Sequence, residues 1–316
     1  MPFDDFRSFL RALAAEGELV EAAALPGHEP PADVNHAATA TEAPATLVAT
    51  VEGRIGRLAV GVHGSLPRLA LALGLPRSLE LDDLVASALG RLGEAVQADY
   101  VAPSAAACKQ VVLRGAAADV TRFPLLQPPG QPGLALDKAL LVTRDPATGA
   151  VGISLAELRV IAPRQLAVRP RLGGALERHV AALAAGVPLE VAAIVGNDPV
   201  LPLVAASNVP PADDAYLYAS ALRGSPLLIT DCESTELEIP ARTEIVLEGL
   251  AEVDSRQSDG VSLAIHTITH RRDPVYEALR GGWAGDEARL LEQWAAAIRT
   301  RDPDGAARAA VLGGSL

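Results

Sequence analysis

From Cys108 onward, short apolar, β-rich segments follow one another at close spacing, and this constrains the fold more than anything else in the chain. Residues 110–113, 139–143, 151–161, 191–195, 227–230, 236–239 and 244–247 each read as a strand, and so does the alternating run that begins at Val261. Asp145-Pro146, Gly196-Asn197-Asp198-Pro199 and Gly224-Ser225-Pro226 punctuate them as turns. Helical periodicity interrupts the series only at residues 174–185 and around 212–222. Parallel strands need a long crossover between each pair, so this texture predicts a mostly antiparallel sheet or barrel. The loop at 127–133, with three prolines and two glycines, is expected to be rigid and exposed.

The first hundred residues read differently. Phe6, Phe9, Leu10 and Leu13 recur at helical spacing within residues 3–16, and Gly17 ends that helix. A Pro-rich connection follows at Pro26, Pro30 and Pro31. Strands are expected at 46–51 and 58–62 around the turn at 52–54, and helices at 66–75 and 81–92. After the strands, residues 286–299 place Leu290, Leu291, Trp294 and Ile298 on one helical face, which should dock on the barrel or on another subunit. Asp302-Pro303-Asp304-Gly305 breaks that helix before an Ala-rich helical tail. The expected organisation is an N-terminal α/β domain (1–104), a central barrel domain (105–284) and a C-terminal helical tail (285–316).

Composition excludes several classes of function. With 49% hydrophobic and 21% charged residues among 316, the chain reads as a globular protein large enough to bury a core. Aromatics make up only 3%, so Ala, Val and Leu must do most of the packing. A net charge of −12 argues against nucleic acid or an anionic membrane as partner. Lys109 and Lys138 are the only lysines. Cys108 and Cys232 are too few for a disulfide framework or a zinc site. Neither a signal peptide nor an apolar run of about eighteen residues is visible, so the expectation is a soluble cytoplasmic protein.

A collinear series of short motifs runs along the chain: Phe3-Asp4-Asp5-Phe6, Glu16-Gly17-Glu18-Leu19-Val20, Gly64-Ser65 with Leu69-Ala70-Leu71-Ala72-Leu73-Gly74, and Cys108-Lys109-Gln110-Val111-Val112-Leu113. Phe123-Pro124, Val142 through Gly149, Gly173-Gly174-Ala175, Ala221-Leu222-Arg223-Gly224, Glu244 through Gly249 and Ile268-Thr269-His270-Arg271-Arg272-Asp273-Pro274 continue it. Together they resemble the markers of the UbiD family of decarboxylases and carboxylases that use prenylated FMN. The resemblance implies an α/β N-terminal domain and a split β-barrel like that of flavin reductases. It also implies a further C-terminal domain, for which this sequence shows no counterpart. In the family the barrel holds prenylated FMN, a divalent metal bridges its phosphate to an Asn, a His and a Glu, and an Arg with two acidic residues acts on the substrate.

Position by position, that chemistry is hard to find. Without gaps, the family's metal-binding Asn falls on Gly152 and its Arg on Glu157; a two-residue slip puts Ser154 and Arg159 there instead. The gapless register fits the apolar pattern better. Strand periodicity turns Glu157 and Arg159 to one face in either case. The family His corresponds to Arg171 and the metal-binding Glu to Ala215, with Asp213 and Asp214 nearby but turned about 100° per residue around a helix. The acidic loop survives at best as Ser258-Asp259-Gly260. The catalytic candidates are therefore Arg159, Glu157 and Asp259, the cofactor-binding candidates are Ser154 and Arg171, and no metal set remains.

Other constellations read more simply. His266 and His270 should share a strand face roughly 13 Å apart, too far for one metal. Asp213-Asp214 reads as a helix N-terminus, and Arg169 with Arg171 could meet an anion at the next helix. Cys232 between Asp231 and Glu233 is a poor nucleophile, and Ser104 and Ser154 lack a triad. Two functional readings stand. One is a non-catalytic accessory subunit that binds a catalytic UbiD-family homologue, forms a homo-oligomer, or holds a small molecule in a vestigial pocket. The other is a compact carboxy-lyase acting on an aromatic or α,β-unsaturated acid with prenylated FMN.

Overall fold

The computed structural model describes residues 3–25, 43–92, 96–182, 187–207, 209, 214–253 and 261–302. The Pro-rich connection, Asp213, the Ser258-Asp259-Gly260 remnant and the Ala-rich tail fall outside them.

The expected barrel closes. Strands β6 (Ala135–Arg144), β7 (Val151–Ala162), β8 (Gln165–Leu172), β9 (Leu189–Val195), β12 (Ile245–Val253) and β13 (Val261–His270) form a ring in the order β12-β9-β6-β7-β8-β13, and β13 pairs back onto β12. Every pairing in the ring is antiparallel. The first part of β13 pairs with β8 and its last four residues with β5 (Val111–Arg114). Alternate residues such as Leu141, Ala156, Leu158, Ala193, Leu247 and Leu263 fill the interior, and small or branched side chains do so with few rings.

Four register breaks interrupt the barrel's ladders, and two of them bear on the candidate residues. In β13, Glu248 pairs with Thr267 and Gly249 with Ile265, so His266 has no partner across the ladder. A Cβ on Gly249 would lie 1.9 Å from the Ala264 carbonyl oxygen, so glycine is required there. The slip breaks the simple alternation: His266 is exposed, whereas His270 is 5% exposed and meets Phe123 edge-on at 5.5 Å. The two imidazoles therefore do not share one environment. In β6, the irregularity between Leu136 and Ala139 leaves Asp137 and Lys138 out of the ladder, and both are buried.

The N-terminal unit contains α1 (Phe6–Ala15), β1 (Leu19–Ala22), β2 (Ala45–Val48), β3 (Arg57–Val60), α2 (Leu66–Ala72) and α3 (Leu81–Arg91). Its sheet runs β1-β2-β3-β14, where β14 (Val275–Ala278) returns from the far end of the barrel to pair parallel with β3. A smaller sheet joins β4 (Asp99–Tyr100), β10 (Leu228–Asp231) and β11 (Glu238–Pro240). Helices α4 (Ala175–Ala182), α5 (Leu201–Ala206), α6 (Ala215–Arg223) and α7 (Asp286–Arg301) pack around the barrel. Trp294 of α7 is fully buried, and its indole N–H reaches the Leu203 carbonyl at 3.1 Å and Ser207 Oγ at 3.0 Å. The apolar face of α7 is thus spent on α5 of its own chain.

The Thr-His-Arg-Arg-Asp-Pro stretch proves to be a junction. Arg271 donates to Asp5 at 2.8 Å and lies 3.2 Å from Glu244. Arg7 of α1 grips the same Glu244 with two bonds of 2.8 Å, and Val275 N donates to it at 3.1 Å. Glu244 is wholly buried, so one carboxylate joins the barrel, α1 and β14. Asp273 turns the chain between them with φ 49°. Among the described residues, no helix is long and apolar enough to cross a membrane.

Candidate functional site

Sequence-predicted site residues converge on the wall formed by β7 and β8. Glu157 and Arg159, two apart on β7, face the same way, and Arg159 Nε donates to Glu157 Oε1 at 2.9 Å. Arg171, from β8, donates to the other carboxylate oxygen. The Arg171 guanidinium also lies 5.2 Å over the ring of Trp283, a cation–π contact. Glu157 is 1% exposed, whereas the side chains of Arg159 and Arg171 are 33% and 24% exposed. Burial works against ionisation of Glu157, but Arg171 and then Arg159 outweigh it and hold the carboxyl below its ordinary range. Two guanidiniums around one carboxylate leave this wall with a net positive charge.

The neighbouring positions are committed to packing. Ser154 Oγ accepts from both Ala175 N and Leu176 N at 3.1 Å, which caps α4 from the side. An anion at that helix start would find these donors already used. A Cβ on Gly152 would lie 2.6 Å from Ala175 Cβ and 2.9 Å from His179 Cε1, so no larger side chain fits without a shift. His179 itself bonds Thr143 Oγ1 at 2.7 Å, and burial lowers its pKa. Ala215 is fully buried, and Asp214 caps α6 by accepting from Tyr216 N at 2.7 Å. Gly152 and Ala215 carry no donor atom, and Arg171 is cationic and bound to Glu157. These residues do not fit a divalent metal bridging a flavin phosphate at this place. Cys232 is pushed above its ordinary pKa, first by burial and then by Glu248, which removes it as a nucleophile.

A second cluster escaped the sequence reading. His63, Glu277 and Glu287 offer ligand atoms within 4.8 Å of one another, all buried. The centre of the box is filled. Lys138 Nζ lies 2.5 Å from Glu287 Oε1, 2.6 Å from Glu277 Oε1 and 2.9 Å from His63 Nδ1. His63 Nε2 faces the Pro199 carbonyl at 2.9 Å, so the proton belongs on Nε2 and Nδ1 accepts from the ammonium. Burial disfavours the charge on Lys138 and Glu277, yet their mutual attraction wins: Lys138 is raised, and Glu277 is held at about 2. Asp137 beside them accepts from Leu279 N at 3.1 Å, and burial pushes its pKa up to about 8. A metal could enter only by displacing the ammonium. The available signal was a lysine in a chain with two, set inside the apolar run Leu134 to Leu141.

Comparison with known proteins agrees with this architecture. Residues 99–284 match the family model described as UbiD: 3-octaprenyl-4-hydroxybenzoate carboxy-lyase Rift-related domain. A phenolic acid decarboxylase of Streptomyces sp. (strain D7) is 30% identical over 318 residues, an alignment covering 92% of this chain and 66% of the relative. The vanillic acid decarboxylase of Sedimentibacter hydroxybenzoicus, solved in open form with truncated ShVdcD, superposes with a TM-score of 0.81 at 25% identity, covering 92% of this chain and 66% of that one. An evolved dimeric form of HmfF from Pelotomaculum thermopropionicum, in complex with prFMN, superposes with a TM-score of 0.81 at 24% identity, covering 95% and 74%. The chain therefore spans about two thirds of the length of such relatives. With the closed six-stranded barrel, the α/β unit in front of it and a domain match across 99–284, the chain belongs to the UbiD family.

Proposed function

We propose that this chain is a non-catalytic member of a UbiD-type (de)carboxylase system, a barrel scaffold that works with a catalytic homologue or with further copies of itself. One comparison supports the reading: in the gapless register, the positions answering the family's metal ligands and its substrate arginine hold Gly152, Arg171, Ala215 and Glu157. Gly152 is packed against His179, Ala215 is buried, and Arg171 is bonded to Glu157, which stands at the arginine's position. Association with a partner is in keeping with the ShVdcCD assembly and the dimeric HmfF form among its structural neighbours. The absence of a membrane-crossing helix among the described residues suits a cytoplasmic setting.

Purification after co-expression with a flavin prenyltransferase tests this reading. The expected product is colourless, free of flavin by mass, and inactive on phenolic and acrylic acids. Bound prenylated FMN together with carbon dioxide release would overturn it and favour the compact carboxy-lyase.

A further inference from the structure

Away from the barrel wall, a pocket of about 420 Å³ opens between α1 and the N-terminal sheet. We infer that it binds a small organic anion with an apolar body, such as a short-chain carboxylate. Arg7, Arg11, Arg57 and Arg271 line it, against the carboxylates of Asp5 and Glu21. Four guanidiniums around one opening stand out in a chain of net charge −12.

The arginines are not equivalent. Arg7 is held by Glu244 and by the Arg272 and Asp273 carbonyls, and Arg271 by Asp5, which lines the pocket beside it, so both are preorganised and cost little further ordering on binding. Among the described residues, Arg57 pairs only with Asp273, at 3.2 Å, and that carboxylate is 67% exposed and well solvated. Arg11 has no hydrogen-bond or ion-pair partner among the described residues, although it sits four residues after Arg7 on the same helical face. Like charges at that spacing repel, and an anion between the helix and β3 relieves the repulsion.

The floor of the pocket specifies the rest of the ligand. Leu10, Leu19 and Leu47 supply an apolar base, with Ala14 at its edge. Guanidinium forks suit a planar carboxylate, the floor suits a short hydrocarbon, and the volume suits a small molecule. None of these residues belongs to the β7–β8 wall, so the inference stands whether or not the chain is catalytic.

Titration calorimetry with sodium hexanoate tests it, with hexanamide and inorganic phosphate as controls. Hexanoate should bind saturably, and both controls should bind at least about tenfold more weakly. The Arg11→Gln/Arg57→Gln variant should lose about tenfold in hexanoate affinity at unchanged melting temperature. If Arg57→Gln unfolds the protein, Arg11→Gln alone, on the exposed side of a helix, should still weaken binding several-fold. Equal binding of hexanoate and hexanamide, full affinity in the variants, or no saturable binding would each overturn the inference.

Discussion

Two charged clusters in this molecule look like functional sites, and they differ in how completely they close. Around Lys138, an ammonium fills a box made by His63, Glu277 and Glu287, and every member is at most 2% exposed. Around Glu157, a buried carboxylate is held by two arginines that keep part of their surface in water. The first cluster ties the N-terminal loop, β6, β14 and α7 together, with the Lys138 ammonium at its centre. The second leaves positive charge facing outward. Burial and charge closure separate a structural brace from a surface that can still meet an anion, where residue type alone would not.

The largest effect should come from breaking the brace. Lys138→Met would leave two buried carboxylates facing each other, at a cost on the order of 3–5 kcal/mol. Urea unfolding would measure it, and a loss under about 1 kcal/mol would mean that water already reaches the box. Asp137→Asn probes the same region through pH. Asp137 keeps its proton in the folded state up to about 8 but loses it near 3.8 when unfolded, so its contribution to stability is full below about 4 and declines as pH rises toward 8. The variant lacks that decline. Its stability relative to the parent should rise by about 1.4 kcal/mol per pH unit between pH 5 and 7, and parallel unfolding curves would show that Asp137 is already ionised. The smallest effect belongs to the open cluster. Glu157→Gln leaves one accepting oxygen for two guanidiniums, but Arg159 and Arg171 retain solvent, so a loss of about 1–2 kcal/mol is expected. A loss matching that of Lys138→Met would erase the distinction between the two regions.

Much of the barrel was legible because its strands alternate and its turns carry Asp-Pro, Asn-Asp-Pro and Gly-Ser-Pro signals. Strands β1, β4, β8 and β14 and helix α5 were not. Arg169, Pro170 and Arg171 mask the alternation of β8, and β1, β4, β14 and α5 are too short for periodicity to register. Glu157 and Arg159 were placed on one face by the two-residue repeat of a strand, and they meet. The same rule failed for His266 and His270, because a bulge required by the close approach at Gly249 resets the alternation between them. Trp294 was recognised as an anchor, but whether it served its own chain or another depended on the Ser207 and Leu203 acceptors of α5.

By itself, then, the sequence determined the class of architecture and the family, because periodicity and collinear motifs are local properties. Only the tertiary structure decided what those residues do. It made the Arg271 stretch a junction through Glu244, turned Ser154 into a helix cap and placed Lys138 among three would-be ligands. The reason is physical: charge pairing, desolvation and steric closure depend on which distant segments meet, and chain order does not encode that in any short window.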